Sequence, residues 1–93
     1  MKSILISSII DGRSYPDAGC MLYDSILSGV ESSDKVTLDF TGVSSVPSMF
    51  LNVSFGRLIS EKGVAFIKEK ISFCNITVSQ VQRIKEYVNR YDN

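Results

Sequence analysis

Apolar and polar positions change their spacing several times along the chain, and each spacing predicts an element. Residues 3–10 form a short, apolar run rich in β-branched side chains that ends at the turn pair Asp11-Gly12. This run predicts a first strand, either continuous or folded as a tight hairpin. Residues 35–40 alternate apolar and polar side chains, which predicts a second strand, and residues 71–75 predict a third.

A helix is predicted between the first two strands. Ser14 and Asp17 have the spacing of a capping box, with Pro16 in the first turn, where a missing N–H costs nothing. Apolar residues then repeat every four positions, with Met21 beside them, and Ser28-Gly29 ends the pattern. The repeating residues are Ala18, Leu22 and Ile26.

A second helix is predicted from about Pro47 or Ser48 to Lys62, and Gly63 is a natural residue to stop it. Its apolar side chains cover a wide arc, so we expect it to be buried against the sheet and against a partner. The arc comprises Phe50, Leu51, Val53, Phe55, Leu58 and Ile59. Residues 64–70 are compatible with a short helical turn.

The last helix has the clearest signals. Thr77 and Gln80 form a capping box, and Ile76 and Val81 occupy the positions of a hydrophobic staple. One apolar stripe runs through Val81, Ile84, Val88 and Tyr91, and the polar side carries Arg83, Lys85 and Arg90. Strands that alternate with helices predict an α/β fold, here a small, mainly parallel or mixed sheet with about three helices in one domain over residues 1–93.

Composition narrows the classes of partner. Ten basic and ten acidic residues cancel, so the chain has no electrostatic footprint for nucleic acid or for a membrane surface. We expect the two cysteines, Cys20 and Cys74, to be buried, reduced thiols of a cytoplasmic protein. With no histidine and no CxxC pair, the sequence predicts no metal site, and it predicts no cofactor.

Catalytic signals are sparse. The chain lacks histidine and the glycine-rich and nucleophile motifs of common enzymes, so a non-enzymatic protein is the favoured interpretation. The enzymatic alternative depends on Asp39 at the end of the central strand, paired with Asp11 or Asp34. Asp39 is otherwise a contact for a partner or ligand. We favour a structural role, in which it accepts hydrogen bonds from backbone N–H groups of residues 42–45.

Three serines crowd the entrance to the second helix. Ser44, Ser45 and Ser48 suit an anion-binding or phosphorylation site because a helix N-terminus attracts negative charge. The favoured interpretation is simple N-capping. Within the helix, Asn52 is expected to bond loop backbone or to face a partner. Gly56 is expected to allow close approach to the sheet.

The run from Val36 to Leu58 resembles the central segment of STAS domains, the sulphate-transporter and anti-sigma-factor-antagonist modules. The pattern LDFTGV, followed by FLN and then GRL, is most similar to a prokaryotic STAS-like family of unknown function. The later IKEKISFCN and the closing basic helix fit the same family, so the resemblance covers nearly the whole chain.

The resemblance implies a sheet backed by helices and a role in protein–protein switching. In the anti-sigma-antagonist branch, a partner ATP-binding kinase phosphorylates a serine at the start of the helix after the central strand. Ser48 occupies that position here, although Pro47 replaces the usual Asp and Met49-Phe50 replaces the usual Ser-Gly. Ser48 is therefore a candidate phosphorylation site.

The leading hypothesis is a regulatory module that binds a kinase-like, ATP-binding protein through residues 41–51, with Met49 and Phe50 as apolar contacts. A nucleotide- or anion-binding domain at the N-terminus of the second helix is the alternative. The wide apolar arc and the sheet edges also make a homodimer a hypothesis.

Overall fold

The computed structural model describes residues 2–90. In chain order these residues form β1 (Lys2–Leu5), α1 (Ile6–Ile10), α2 (Tyr15–Ser33), β2 (Val36–Asp39), α3 (Ser48–Val53), α4 (Phe55–Lys62), α5 (Val64–Lys70), β3 (Ile71–Cys74) and α6 (Val78–Asn89). The predicted α/β class is confirmed. The number of helical segments exceeds the prediction because the first predicted strand and the second predicted helix each contain a break, and because residues 64–70, compatible with a short helical turn, form α5.

The three strands form one parallel sheet with β2 in the centre. Lys2 pairs with Val36 and Leu5 with Asp39, while on the other side Val36 pairs with Ile71 and Asp39 with Cys74. Parallel neighbours need a crossover connection, and the helical segments between the strands supply it. The carboxyl ends of all three strands therefore meet at one edge of the sheet.

Alternation along the strands separates a buried face from an open one. Ile4, Val36, Leu38 and Ile71 point inward and are at most 6% exposed. Their strand neighbours on the opposite face are half-buried or exposed, and the side chain of Leu5 is 43% exposed. Parallel sheets usually have both faces covered, so the open face of this sheet is unusual.

The prediction for the first ten residues is wrong in its second half. The chain leaves the sheet after Leu5, and residues 6–10 form α1 instead of a longer strand or a hairpin. Ile6, Ile9 and Ile10 have the spacing that places side chains on one face of a helix. Only Ile6 is fully buried, and Ile9 and Ile10 pack against the core with half-buried side chains.

Helix α2 begins as predicted and ends later than predicted. The hydroxyl of Ser14 accepts a hydrogen bond from the backbone N–H of Asp17 at 3.4 Å. The helix continues through Ser28-Gly29 to Ser33, with Gly29 buried and Val30 packed against the core. Met21 lies off the buried stripe and is 37% exposed.

The second predicted helix is divided at Ser54, which has φ −114° and ψ −79°. The Ser54 hydroxyl donates to the carbonyl of Phe50 at 2.7 Å, a side-chain bond that competes with the helical pattern. Gly63 ends α4 with φ +89°, as its position predicted. The apolar arc is directed into the domain core, and Phe50, Leu51, Phe55, Leu58 and Ile59 are all buried.

A close contact joins α2 to α3. A Cβ atom placed on Gly19 would lie 2.0 Å from Cγ2 of Val53 and 2.9 Å from the carbonyl oxygen of Phe50. Only glycine allows the two helices this separation. No helix among residues 2–90 is long and apolar enough to cross a membrane.

Candidate functional site

Asp39 lies at the end of the central strand and organises the turn that follows. Its Oδ1 atom accepts hydrogen bonds from the Thr41 hydroxyl at 2.6 Å, the Thr41 N–H at 2.9 Å and the Asn75 side-chain amide at 3.1 Å. The two bonds from Thr41 and the bond from Asn75 stabilise the carboxylate and hold the pKa of Asp39 below its ordinary value. The acceptor role we favoured is present, but its donors are Thr41 and Asn75 and not residues 42–45.

The chain then turns away from the sheet in a loop of small residues. Gly42 has φ +81°, a backbone conformation that glycine adopts without strain. Val46 is buried and anchors the loop on the core, whereas Ser44 and Ser45 are exposed. The loop is therefore anchored at Val46 and exposes the hydroxyl groups of Ser44 and Ser45 to solvent.

The entrance to α3 differs from the predicted serine cap. Pro47 is the N-cap residue and makes no side-chain capping bond, and Ser48 is already the first helical residue. Met49 beside it is 56% exposed, but Phe50 is only 2% exposed. Met49 is thus available to a partner, while Phe50 supports the turn from inside the domain.

Helix α6 binds this loop through polar side chains, a role that the sequence did not reveal. The Gln80 amide donates to the carbonyl of Val43 at 2.7 Å. The Arg83 guanidinium donates to the carbonyl of Val46 and to the Ser48 hydroxyl, the second bond measuring 3.0 Å. The sequence predicts Arg83 on the polar side of α6, and only its bonds to Val46 and Ser48 show that it holds the loop.

A further bond extends this connection along α3. The Tyr87 hydroxyl donates to Oδ1 of Asn52 at 2.7 Å, so Asn52 bonds a side chain of α6 instead of the loop backbone. Gly56 faces the same tyrosine, because a Cβ atom there would lie 2.7 Å from the Tyr87 hydroxyl oxygen. The expected close approach of Gly56 to the sheet is wrong, and the close neighbour is α6.

An open groove of about 420 Å³ lies beside the loop, at the carboxyl ends of β1 and β2. We call it the β1–β2 groove. Residues from α1, from the start of α2 and from the loop line it: Ser7, Ser8, Ile10, Asp11, Tyr15, Gly42, Val43, Ser44 and Ser45. The crevice outside the carboxyl ends of parallel strands is where open α/β sheets commonly bind ligands.

The described residues contain no group of three or more histidine, cysteine or acidic side chains that could hold a metal ion. Both cysteines are free, as expected, but neither is fully buried: Cys20 is exposed and Cys74 is half-buried. Cys20 points outward because it lies on the solvent side of α2, one position after the buried Gly19.

Comparison with family models gives a match, over residues 18–81, to the model described as STAS-like domain of unknown function (DUF4325). The chain belongs to this STAS-like family. The match includes the whole Val36–Leu58 run, and it confirms the family predicted from that run. No curated protein and no solved structure matches the chain. Because no function is assigned to the STAS-like family, a function has to be argued from the site itself.

Proposed function

We propose that this STAS-like domain is a non-enzymatic regulatory module that binds a partner protein through its 41–49 surface, formed by residues 41–47, Ser48 and Met49. The partner that the resemblance favours is a kinase-like, ATP-binding protein. The observation that carries the proposal is the exposed Met49 side chain, an apolar and adaptable contact in the first turn of α3, directly after a loop that polar bonds hold in place.

Preorganisation supports this surface as a binding site. Three hydrogen bonds from Gln80 and Arg83 fix the loop at Val43, Val46 and Ser48. A loop that is already ordered loses little conformational entropy when a partner binds, so more of the contact energy remains as affinity. The exposed hydroxyls of Ser44 and Ser45 add adaptable hydrogen-bonding groups beside Met49.

The hydrogen bonds of Asp39 and its lowered pKa support a binding role for the domain over a catalytic one. Three donors converge on one oxygen of the carboxylate, and they favour its ionised form. A general base works best when its pKa is near the working pH, and these bonds shift the pKa of Asp39 the other way. Asp39 is therefore a positioning residue of the loop in this proposal.

The geometry favours a protein over a nucleotide at α3. A groove of about 370 Å³ lies at the entrance to α3, lined by residues 44–47 and by Ser79, Gln80 and Arg83, but it is open to solvent, and the cleft beyond Ser48 holds only about 30 Å³. Sites for small molecules bury most of the ligand surface, which an open groove does not do. Helix α3 has only six residues and a proline N-cap, and Arg83 at its entrance is already bonded to the Val46 carbonyl and the Ser48 hydroxyl.

Ser48 is the proposed switch within this surface. Its hydroxyl is exposed and already receives a hydrogen bond from Arg83. Phosphorylation would add about two negative charges next to Met49 and would attract Arg83 away from the carbonyl of Val46. Both effects would weaken the binding of a partner that uses the unmodified surface.

Affinity capture from an extract of the native host tests the binding surface. The immobilised domain is compared with Met49→Asp and with Met21→Asp, which makes the same chemical change at an exposed methionine on α2. We expect Met49→Asp to lose a captured ATP-binding protein that wild type and Met21→Asp both retain. Equal capture by all three proteins would refute the proposed surface.

A second capture experiment tests the switch. A domain with phosphoserine incorporated at position 48 should capture less of that protein than the unmodified domain, while phosphoserine at the exposed Ser28 should change nothing. Unchanged capture after modification of Ser48 would remove the switch and leave the binding surface standing.

A further inference from the structure

The lining of the β1–β2 groove favours a positively charged ligand. Asp11 is the one charged residue among the described residues that line it, and the other polar groups are the hydroxyls of serines and of Tyr15. Hydroxyl oxygens accept hydrogen bonds from a cation, and a tyrosine ring attracts one through its π face. An anionic ligand would meet the carboxylate of Asp11 without a lysine or arginine in that lining to offset it.

The rim of the same groove already binds a guanidinium group. Nη1 of Arg13 donates to the carbonyl oxygens of Ser8 and Ile9, at 3.3 Å and 3.1 Å. These carbonyls lie near the end of α1, where the helix dipole is negative. Arg13 thus satisfies these two acceptors without pairing with Asp11, and among the described residues the Asp11 carboxylate has no basic partner.

Tyr15 is held in place for such a contact. Its ring packs edge-on against Phe50, with the ring centroids 6.4 Å apart, and 37% of the residue stays exposed. Phe50 lies next to Met49, the apolar contact of the 41–49 surface. The groove and that surface also share Ser44 and Ser45, so one partner would reach both.

We propose that the β1–β2 groove receives an arginine side chain of the partner protein, with its guanidinium paired to the Asp11 carboxylate and stacked on the Tyr15 ring. This assignment rests on the proposed binding function and adds the chemistry of one partner contact. It makes the groove a specificity pocket beside the apolar contact at Met49.

Titration with a small probe tests the chemistry directly. Acetyl-arginine amide is added to ¹⁵N-labelled domain, and acetyl-citrulline amide serves as the neutral probe of the same shape. We expect saturable shifts of the amide signals of residues 7–15 and 42–45 with the arginine probe alone. Asp11→Asn should weaken this binding about two- to five-fold, the range for an exposed ion pair. Asp24→Asn, at an exposed aspartate on α2, should leave it unchanged.

Three results would overturn the assignment: equal shifts with citrulline, shifts located elsewhere, or no effect of Asp11→Asn on the titration. The capture assay then separates the two proposals. If Asp11→Asn binds the probe more weakly and also captures less partner, the assignment stands. If Asp11→Asn captures the partner as wild type does while Met49→Asp does not, the binding surface stands and the arginine contact is refuted.

Discussion

Gln80 gives the sharpest test of how α6 holds the loop. Its side chain is only 5% exposed and forms two bonds of opposite kind: Oε1 accepts from the Thr77 N–H at 3.0 Å, and Nε2 donates to the Val43 carbonyl at 2.7 Å. Gln80→Glu preserves shape and acceptor but replaces the donor with a second acceptor when the side chain is ionised.

The magnitude follows from these contacts. Losing the bond to Val43 costs about 1 kcal/mol, and leaving two buried acceptors face to face costs roughly 1–3 kcal/mol more. A negative charge in the first turn of α6 returns about 0.3–1 kcal/mol through the helix dipole. We therefore expect Gln80→Glu to lower the free energy of unfolding by about 1–4 kcal/mol at pH 8.

The pH dependence gives the prediction its sign. When the carboxyl introduced by Gln80→Glu is protonated it can donate to Val43 again, so its folded-state pKa should lie above its unfolded value of about 4.3. Such a group contributes fully to the free energy of unfolding at pH values below its unfolded-state pKa. This contribution is lost as the pH rises through its folded-state pKa. The deficit of the variant relative to wild type should shrink between pH 8 and pH 4.

Urea denaturation followed by circular dichroism at several pH values measures this deficit. Thr77→Ala is the matched control, because it removes the cap hydroxyl of the same helix, costs about 1 kcal/mol and introduces no titrating group. A Gln80→Glu deficit that is absent at pH 8, or that stays constant down to pH 4, would refute the role of the Gln80–Val43 bond.

Two further predictions concern stability. Gly19→Ala should destabilise the fold by about 1–3 kcal/mol in thermal or urea unfolding, because its Cβ would overlap Val53. Combining it with Val53→Ala should cost less than the sum of the two single changes, and strict additivity would contradict the packing argument. Asp39 has a depressed pKa in the folded state, so its ionised carboxylate contributes to the free energy of unfolding above about pH 4. This contribution is lost as the pH falls through the folded-state pKa. Asp39→Asn should therefore lose less stability on acidification than wild type or the surface control Asp24→Asn, and parallel acid profiles would exclude this contribution.

Local signals in the sequence account for much of the fold. The alternation in β2 and the capping box of Thr77 and Gln80 depend on neighbouring residues, and both are present as predicted. The end of β1 was missed because the short run ILISSII, residues 4–10, is compatible with both the strand and the helix period. The break at Ser54 was missed because serine is tolerated in helices, and only the bond of its hydroxyl to Phe50 reveals the interruption.

Local sequence patterns predicted only part of the candidate site. The sequence indicated the loop, with Met49 and Phe50 as candidate apolar contacts, but it could not show that Met49 is exposed and Phe50 is buried. It did not reveal that Gln80 and Arg83 hold the loop, because these contacts join residues far apart in the chain. Arg83 has the sequence pattern of a solvated charge, and the two acceptors that fix it belong to another element.

The all-parallel order of the strands has a consequence for how the domain folds. Lys2 must meet Val36, and Val36 must meet Ile71, so no strand pairs with a close neighbour in sequence. Each pairing has to close a long loop before any ladder bond forms, and chains dominated by distant contacts fold slowly for their size. We expect the helical crossovers to acquire structure before the sheet. During that interval the strand edges stay unpaired, and newly synthesised chains are at their greatest risk of aggregation.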